Sequence, residues 1–464
     1  MIVMKFGGSS LRTVESLQRV IKIIKRDESS QKIIILSAVN GVTDHLHKSI
    51  NDALQNEKQI PGLIDYLHLL HKELVVGSIG TVQSKIRAME QIECLLSRLK
   101  KLLVGISYTG VCPATIREQI ISMGERMAVS LLAECLQSHG VDARAFEADR
   151  IDLFATGQWG YGNADLEKTH STLLPHLEPV LQKGTIPVIT GYFGCTSKGE
   201  TITFGRGGTD YSAAVIAHVV DAEQLQVWKD VDGFLTASPE IVSRPKPIDY
   251  LSYDEAAELA YFGAKILHPR TVEPLHKKNI PIIVKNTYHP EAQGTEIGPE
   301  RHVQDGVLKS VTYNRNLGIL KFVGAGLGCQ PGFLKEITVA LHANHINIRS
   351  IVTSQTAVSL LLDQKDLSES ARCVQILDLP YVESIEQFSD IAVVAVVGEG
   401  IADTIGLSAR VLSSVAAADI NVEMISSGAS TVAYYFIVRD RVLYKAVQAI
   451  HTEFFQEESI HAVA

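Results

Sequence analysis

The sequence predicts an α/β protein: a mostly parallel sheet covered on both faces by helices, followed by a duplicated α+β tail. Three observations carry that prediction. Short continuous apolar runs alternate with helical periodicity through the first half, glycine-bearing loops follow several of those runs, and the last third repeats itself at a constant offset. Continuous apolar strands mark a sheet buried on both faces.

Ile2–Phe6 reads as the first strand and ends at Gly7-Gly8. Val14, Leu17, Val20, Ile21 and Ile24 then fall at helical spacing, with Thr13 as the N-cap. Ile33–Val39 is a second strand, stopped by Asn40-Gly41. Residues from about 45 to 128 are helical and strand-poor, which reads as an inserted helical subdomain or lid, or as ordinary helical packing. Ile186–Thr190, Leu225–Trp228 and Ile280–Val284 are further strands. Ligand loops in such sheets lie at the carboxyl ends of the strands.

Residues 286–310, rich in proline, glycine and charge, mark a boundary. Beyond it, ILKFVGAG at 319–326 resembles VAVVGEG at 394–400, and Gly324/Gly398, Gly332/Gly406 and Asn347/Asn421 are equally spaced. Each copy reads strand, glycine loop, helix, strand, strand, helix. Such a unit leaves a sheet edge open to its copy or to another chain. The GAGLG string at 324–328 is not a dinucleotide fingerprint, because its third glycine is misplaced.

The chain has 464 residues, room for two or three domains, and a formal net charge of −9, which argues against a general nucleic-acid binder. Its six cysteines form no C-x-x-C pair, and no apolar run is long enough to span a bilayer. The expectation is a soluble cytoplasmic protein with reduced thiols and neither nucleic acid nor membrane as partner.

The richest stretch is ITFGRGGTDYS, residues 202–212. Three glycines surround Arg206, and Asp210 falls where a helical pattern begins. Backbone N–H groups at a helix start attract anions, and a guanidinium grips a carboxylate or phosphate in a fork. With KFGGSS at 5–10, two such loops suggest that an anionic substrate and a nucleotide meet.

KFGGSS, SAVNGVT (37–43), SMGERMA (122–128), FGRGGTD (204–210), WKDVDGFLT (228–236) and FGAKILHP (262–269) occur in this order. Together they resemble the aspartate kinases of the amino-acid kinase superfamily, and the repeated tail resembles the paired ACT domains of that family. The resemblance spans essentially the whole chain. It implies a three-layer α/β/α kinase domain at 1–300, a first ferredoxin-like ACT domain at 311–388 and a second at 389–464, with the C-terminal EESIHAVA interleaving with the first. No homoserine dehydrogenase-like extension follows, so a monofunctional chain is expected.

The implied reaction moves the γ-phosphoryl group of ATP, carried with Mg²⁺, to the side-chain carboxylate of L-aspartate, toward lysine, threonine and methionine. No tightly bound cofactor and no protein metal site are expected. An aspartate carboxylate is already ionised near neutrality, so no general base is needed. Catalysis should rest on positioning, cations and backbone N–H groups.

By resemblance, Lys5 contacts the transferring phosphoryl group while Gly7, Gly8 and Ser9 cradle phosphate. On position alone Lys5 is equally a solvated lysine at a strand end. Thr43 is matched to the aspartate substrate, although alone it reads as a helix N-cap. Glu125 is matched to the substrate α-ammonium group, although a first-turn carboxylate is also favourable there. Arg206 is matched to the α-carboxylate and Tyr192 to an aromatic pocket position. Thr209 and Asp210 complete the loop, with Asp210 orienting substrate, acting through Mg²⁺, or serving only as a helix-start carboxylate. Lys229, Asp230, Gly233 and Lys265 are matched to the nucleotide.

Leu235 and Ser238-Pro239-Glu240 depart from the family pattern, which has Tyr and D-P-R there. Gly332, Phe333, Leu334, Arg349, Thr353 and Ser354 are expected around an amino-acid effector, lysine or threonine. Arg349 replaces an acidic residue of lysine-sensitive members and would repel a lysine side chain. A kinase for glutamate or a related acid, and a non-catalytic ACT sensor with a decayed kinase site, are the competing readings. The exposed ACT edges predict a homodimer or larger homo-oligomer.

Overall fold

All five residues of the strand Ile2–Phe6 are buried, as a continuous apolar run demands. The computed structural model describes residues 1–264, 266–303 and 307–456. Ile2–Phe6 lies near the middle of an eight-stranded sheet. The strand order is Tyr250–Ser252, Thr295–Gly298, Ile282–Asn286, Gln224–Lys229, Ile2–Phe6, Lys32–Leu36, Ile186–Thr190, Ala143–Phe146. Neighbours run parallel except Ile282–Asn286 against Thr295–Gly298.

Two strands differ slightly from expectation. The second stops at Leu36, because 37–41 already turn toward the next helix. Ile282–Asn286 starts two residues late because Pro281 has no N–H to donate.

Side chains alternate across a strand, so Ile2, Met4 and Phe6 enter one face and Val3 and Lys5 the other. The first face shares one continuous core with the helices Val42–Gln55, Ile60–Ser78, Val82–Thr109 and Met123–Ser138. The strand-poor stretch is therefore a packed helical layer and not a detached lid. Its longest helix buries Ala88, Ile92, Leu96, Leu99, Leu103 and Ile106, a stripe with a three-to-four-residue period. Thr13 caps its helix as expected, accepting from the Ser16 amide at 3.2 Å.

The chain divides into two compact units. The first ends at Glu300 and lacks Leu235–Lys246 and Glu258–Ala264. Those segments group with the chain from Arg301 onward. Ala237, Ile241 and Val242 are buried in the core around Val394, Val411 and Phe436.

The second unit holds two four-stranded antiparallel sheets. Ile348–Thr353, Ala357–Asp363, Leu317–Val323 and Ser384–Phe388 make one; Met424–Ser426, Ala433–Arg439, Ile391–Val397 and Ser310–Asn314 make the other. This corrects the boundary placed at 311. Ser310–Asn314 pairs with Ile391–Val397 and so completes the second copy, taking the edge that Ser384–Phe388 takes in the first. The EESIHAVA segment lies outside the described residues.

Candidate active site

Four neighbouring parallel strands end at one edge of the sheet, and each delivers a loop. Gln224–Lys229 leads to Asp230, Ile2–Phe6 to Gly7–Ser9, Lys32–Leu36 to the turn before Val42, and Ile186–Thr190 to Tyr192. This is where an α/β sheet places ligands.

Lys5 points from the sheet toward the helix Gly208–Val219, which carries Asp210 in its first turn. Its Nζ lies 2.6 Å from Asp210 Oδ1, and both residues are buried. Lys229 reaches the other carboxylate oxygen at 3.4 Å. Burial lowers the Lys5 pKa, Asp210 opposes that shift, and Lys229 adds to it. Burial would raise the Asp210 pKa, but Lys5 and then Lys229 outweigh it and hold the group down to about 2. The bare reading of Lys5 as a solvated strand end is thereby excluded. Gly7 adjoins the lysine: a Cβ there would sit 3.6 Å from Lys5 Nζ. Gly8 and Ser9 open a single 3₁₀ turn, Gly8–Leu11, directly after the strand.

Three sequence motifs converge on Ala38. Its backbone N–H donates to Glu125 Oε1 at 3.1 Å. A Cβ on Gly8 would stand 2.7 Å from its carbonyl oxygen, and one on Gly124 would stand 2.6 Å from its own Cβ. Glycine is needed at both positions because the chains pass so close. Glu125 is fully enclosed, and its Oε2 has no hydrogen-bond partner among the described residues. Burial pushes its pKa up to about 8, against the Ala38 N–H. A buried carboxylate oxygen with nothing to bind suits a cationic ligand group.

Tyr192 takes φ +75°, unusual for a bulky residue. Its amide donates to Ser212 Oγ at 3.0 Å, and its carbonyl accepts from the Phe204 amide at 2.9 Å. Burial, then Glu125 and Glu118, push its phenol pKa up. Thr43 is half-buried in the first turn of the helix Val42–Gln55, whose cap is Gly41, so the N-cap reading of Thr43 is corrected.

In the FGRGG loop, Gly207 caps the following helix at φ +73°, and a Cβ there would enter the His268 ring at 2.3 Å. Thr209 is buried. Arg206 is exposed, with no hydrogen bond or ion pair among the described residues. On the nucleotide side Asp230 is exposed, Gly233 is buried against Thr295, and Lys265 lies outside the described residues.

Leu235 and Glu240 fall in the second unit, where Glu240 accepts from the Tyr313 hydroxyl at 3.2 Å. The departures from the family pattern therefore sit in a segment with a packing role of its own.

Sequence reasoning missed two contributors. Glu118 is buried and accepts from the backbone N–H of Thr203, at the entry to the loop. Arg270 binds the Phe204 carbonyl at 2.8 Å. Only the placement of a charge beside a recognised motif could have flagged either.

The effector set divides. Phe333 is buried in the first ACT core, edge-on to Phe322 at 5.5 Å, because it heads the apolar stripe Phe333, Ile337, Leu341, so only its backbone is open to an effector. Leu334, Thr353 and Ser354 are exposed, and Gly332 caps the helix Phe333–Ala343. Arg349 pairs with Asp363 at 3.0 Å and lies over the Tyr261 ring.

A parallel sheet that gathers two lysines, a buried aspartate and a glycine turn at its carboxyl edge has the parts of a phosphoryl-transfer protein. Residues 1–286 match the amino acid kinase family, and 320–375 and 394–454 match the ACT domain. The chain is 34% identical to aspartokinase 1, chloroplastic, of Arabidopsis thaliana over 98% of its own length and 80% of that protein. It is 28% identical to lysine-sensitive aspartokinase 3 of Escherichia coli, over 98% of this chain and 99% of that one. The solved structure of E. coli aspartokinase III with aspartate and ADP, in the R-state, has a TM-score of 0.85 at 26% identity, covering 98% of this chain and 100% of that one. The T-state structure with lysine and aspartate has a TM-score of 0.80 with the same coverage. The chain belongs to the aspartokinases, within the amino acid kinase family. No helix among the described residues is long and apolar enough to cross a membrane.

Proposed function

We propose that the chain is an aspartate kinase that phosphorylates the side-chain carboxylate of L-aspartate with ATP. The observation that carries this is the buried Lys5–Asp210 pair, joined by the half-buried Lys229, beside the Gly7-Gly8 turn. Its cations face the only real difficulty of the reaction, which is the approach of two anions.

In this reading Arg206 forks the substrate α-carboxylate and Glu125 Oε2 receives the α-ammonium group. Thr43, Tyr192 and Thr209 wall the pocket. The β-carboxylate then faces the γ-phosphorus. An oxygen–phosphorus bond forms, the bond to the β-phosphate oxygen breaks, and ADP leaves with that electron pair. Asp210 keeps Lys5 and Lys229 charged and aimed. Gly7, Gly8 and Ser9 supply N–H groups to phosphate, and Asp230, Gly233 and Lys265 serve the nucleotide. Asp210 is already engaged by two lysines, so Mg²⁺ would be held chiefly by ATP phosphate oxygens.

An amino-acid effector acts through the ACT sheets, which pair chains into a homo-oligomer. Because Arg349 is already turned to Asp363, it does not by itself exclude lysine.

The test is a hydroxamate assay on the purified full chain with ATP, Mg²⁺ and L-aspartate. Acyl phosphate from aspartate and little from glutamate is expected; none from aspartate would sink the reading. Added lysine or threonine identifies the effector.

A further inference from the structure

Among the described residues Arg206 has no hydrogen-bond or ion-pair partner, so the backbone of residues 204–208 decides where its guanidinium points. That backbone is held from outside by Arg270. One guanidinium nitrogen of Arg270 donates to the Phe204 carbonyl at 2.8 Å. The other donates to the Gly162 carbonyl at 2.6 Å and to Asn163 Oδ1 at 2.8 Å. The plane lies 4.2 Å from the centroid of the Tyr211 ring, one residue past Asp210. Tyr211 in turn meets Phe204 edge-on at 5.2 Å, and its hydroxyl accepts from the Ala164 amide at 3.1 Å. One half-buried side chain thus ties together the residue two before Arg206, the strand Tyr161–Ala164 and the helix that carries Asp210. Glu118 fixes the preceding residue by accepting from the Thr203 N–H.

We propose that Arg270 is a positioning residue that sets the direction of Arg206 toward the substrate α-carboxylate. The proposal rests on the aspartate kinase reading. A planar fork suits it: three acceptors fan out in front of the guanidinium while its face covers a ring, and an ammonium cannot do both. Arg270 touches no reacting atom. Its effect should therefore appear in aspartate binding and leave the nucleotide side alone.

The experiment compares wild type with Arg270→Ala and Arg270→Lys. In Arg270→Ala, KM for aspartate rises about tenfold or more, since a small displacement of a clamping group is costly. KM for ATP stays within about twofold, and kcat at saturating aspartate is largely kept. Amide exchange quickens at 161–164 and 203–208, Arg270→Lys restores part of both effects, and added guanidinium lowers the aspartate KM of the alanine variant. Equal rises in both KM values, or a folded Arg270→Ala with unchanged aspartate KM, would overturn the proposal. Wild type without acyl phosphate would instead refute the underlying reading, and the exchange data would still show whether Arg270 holds the loop.

Discussion

Lys5 Nζ and Asp210 Oδ1 stand 2.6 Å apart in a buried pair that joins the centre of the sheet to the helix behind it. Burial alone would discharge both groups, and each keeps the other ionised. Asp210→Asn should lower kcat by about 10²-fold, as expected for losing a group that aims a phosphate-binding cation, with little change in the aspartate KM. The acid limb of stability should change too. Asp210 is depressed from 3.8 to about 2, so its stabilisation is present above about pH 4 and is lost as pH falls through about 2. Melting curves between those values should show that loss in wild type and not in Asp210→Asn.

Glu125 titrates in the opposite sense. Its pKa rises from 4.5 to about 8, so between those values the folded chain holds a proton that the unfolded chain has released. Stability from this group therefore falls as pH rises through that window. Aspartate binding needs the ionised form, so kcat/KM for aspartate should climb toward an apparent pKa near 8. Glu125→Gln keeps the acceptor for Ala38 N–H but loses the charge. It should melt a few degrees above wild type at pH 8, raise the aspartate KM by roughly tenfold or more, and flatten the profile. A wild-type profile flat between pH 6 and 9 would count against the assignment.

Arg206 is exposed and unengaged among the described residues, so its replacement costs little stability and reads out almost purely in binding. Arg206→Ala should raise the aspartate KM by about ten- to a hundredfold, the worth of a charge-assisted contact, and leave the ATP KM nearly unchanged. Arg206→Lys should recover only part, because an ammonium cannot fork a carboxylate. Equal effects on both substrates would reduce the loop to a phosphate cradle.

What the sequence made legible was local. Lys5 could be placed because it ends an apolar run and precedes two glycines, and Asp210 because a glycine loop gives way to a helix at that point. Arg270 and Glu118 were not legible: they act through backbone groups 66 and 85 residues away, and such contacts leave no local pattern. Ala38 carries no signal of its own for the same reason, although two other motifs press on it. The packing of Phe333 was legible, since its spacing to Ile337 and Leu341 marks a core stripe. The first copy was expected to begin at 311, and nothing in the chain order says that Ser310–Asn314 pairs with the second copy and not the first.

Ala38 also gives the least intuitive expectation. Gly8 belongs to the phosphate turn, yet a Cβ there would meet the Ala38 carbonyl oxygen at 2.7 Å and the Asn40 nitrogen at 3.3 Å. Both are backbone atoms, which cannot swing aside as a side chain can, so Gly8→Ala must push the Ala38 loop. The Ala38 N–H is the hydrogen bond that orients Glu125, 3.1 Å away. Displacing it should reach the amino-acid side of the site. Gly8→Ala should therefore lower kcat by about tenfold or more, as a shifted phosphate turn would, and should also raise the aspartate KM. Combined with Glu125→Gln, the two effects on aspartate KM should fall short of additive, because the second change removes the charge that the first misplaces. Steady-state kinetics on the two single variants and the double variant measure that coupling. Full additivity would mean that the phosphate turn and the α-ammonium site are mechanically independent.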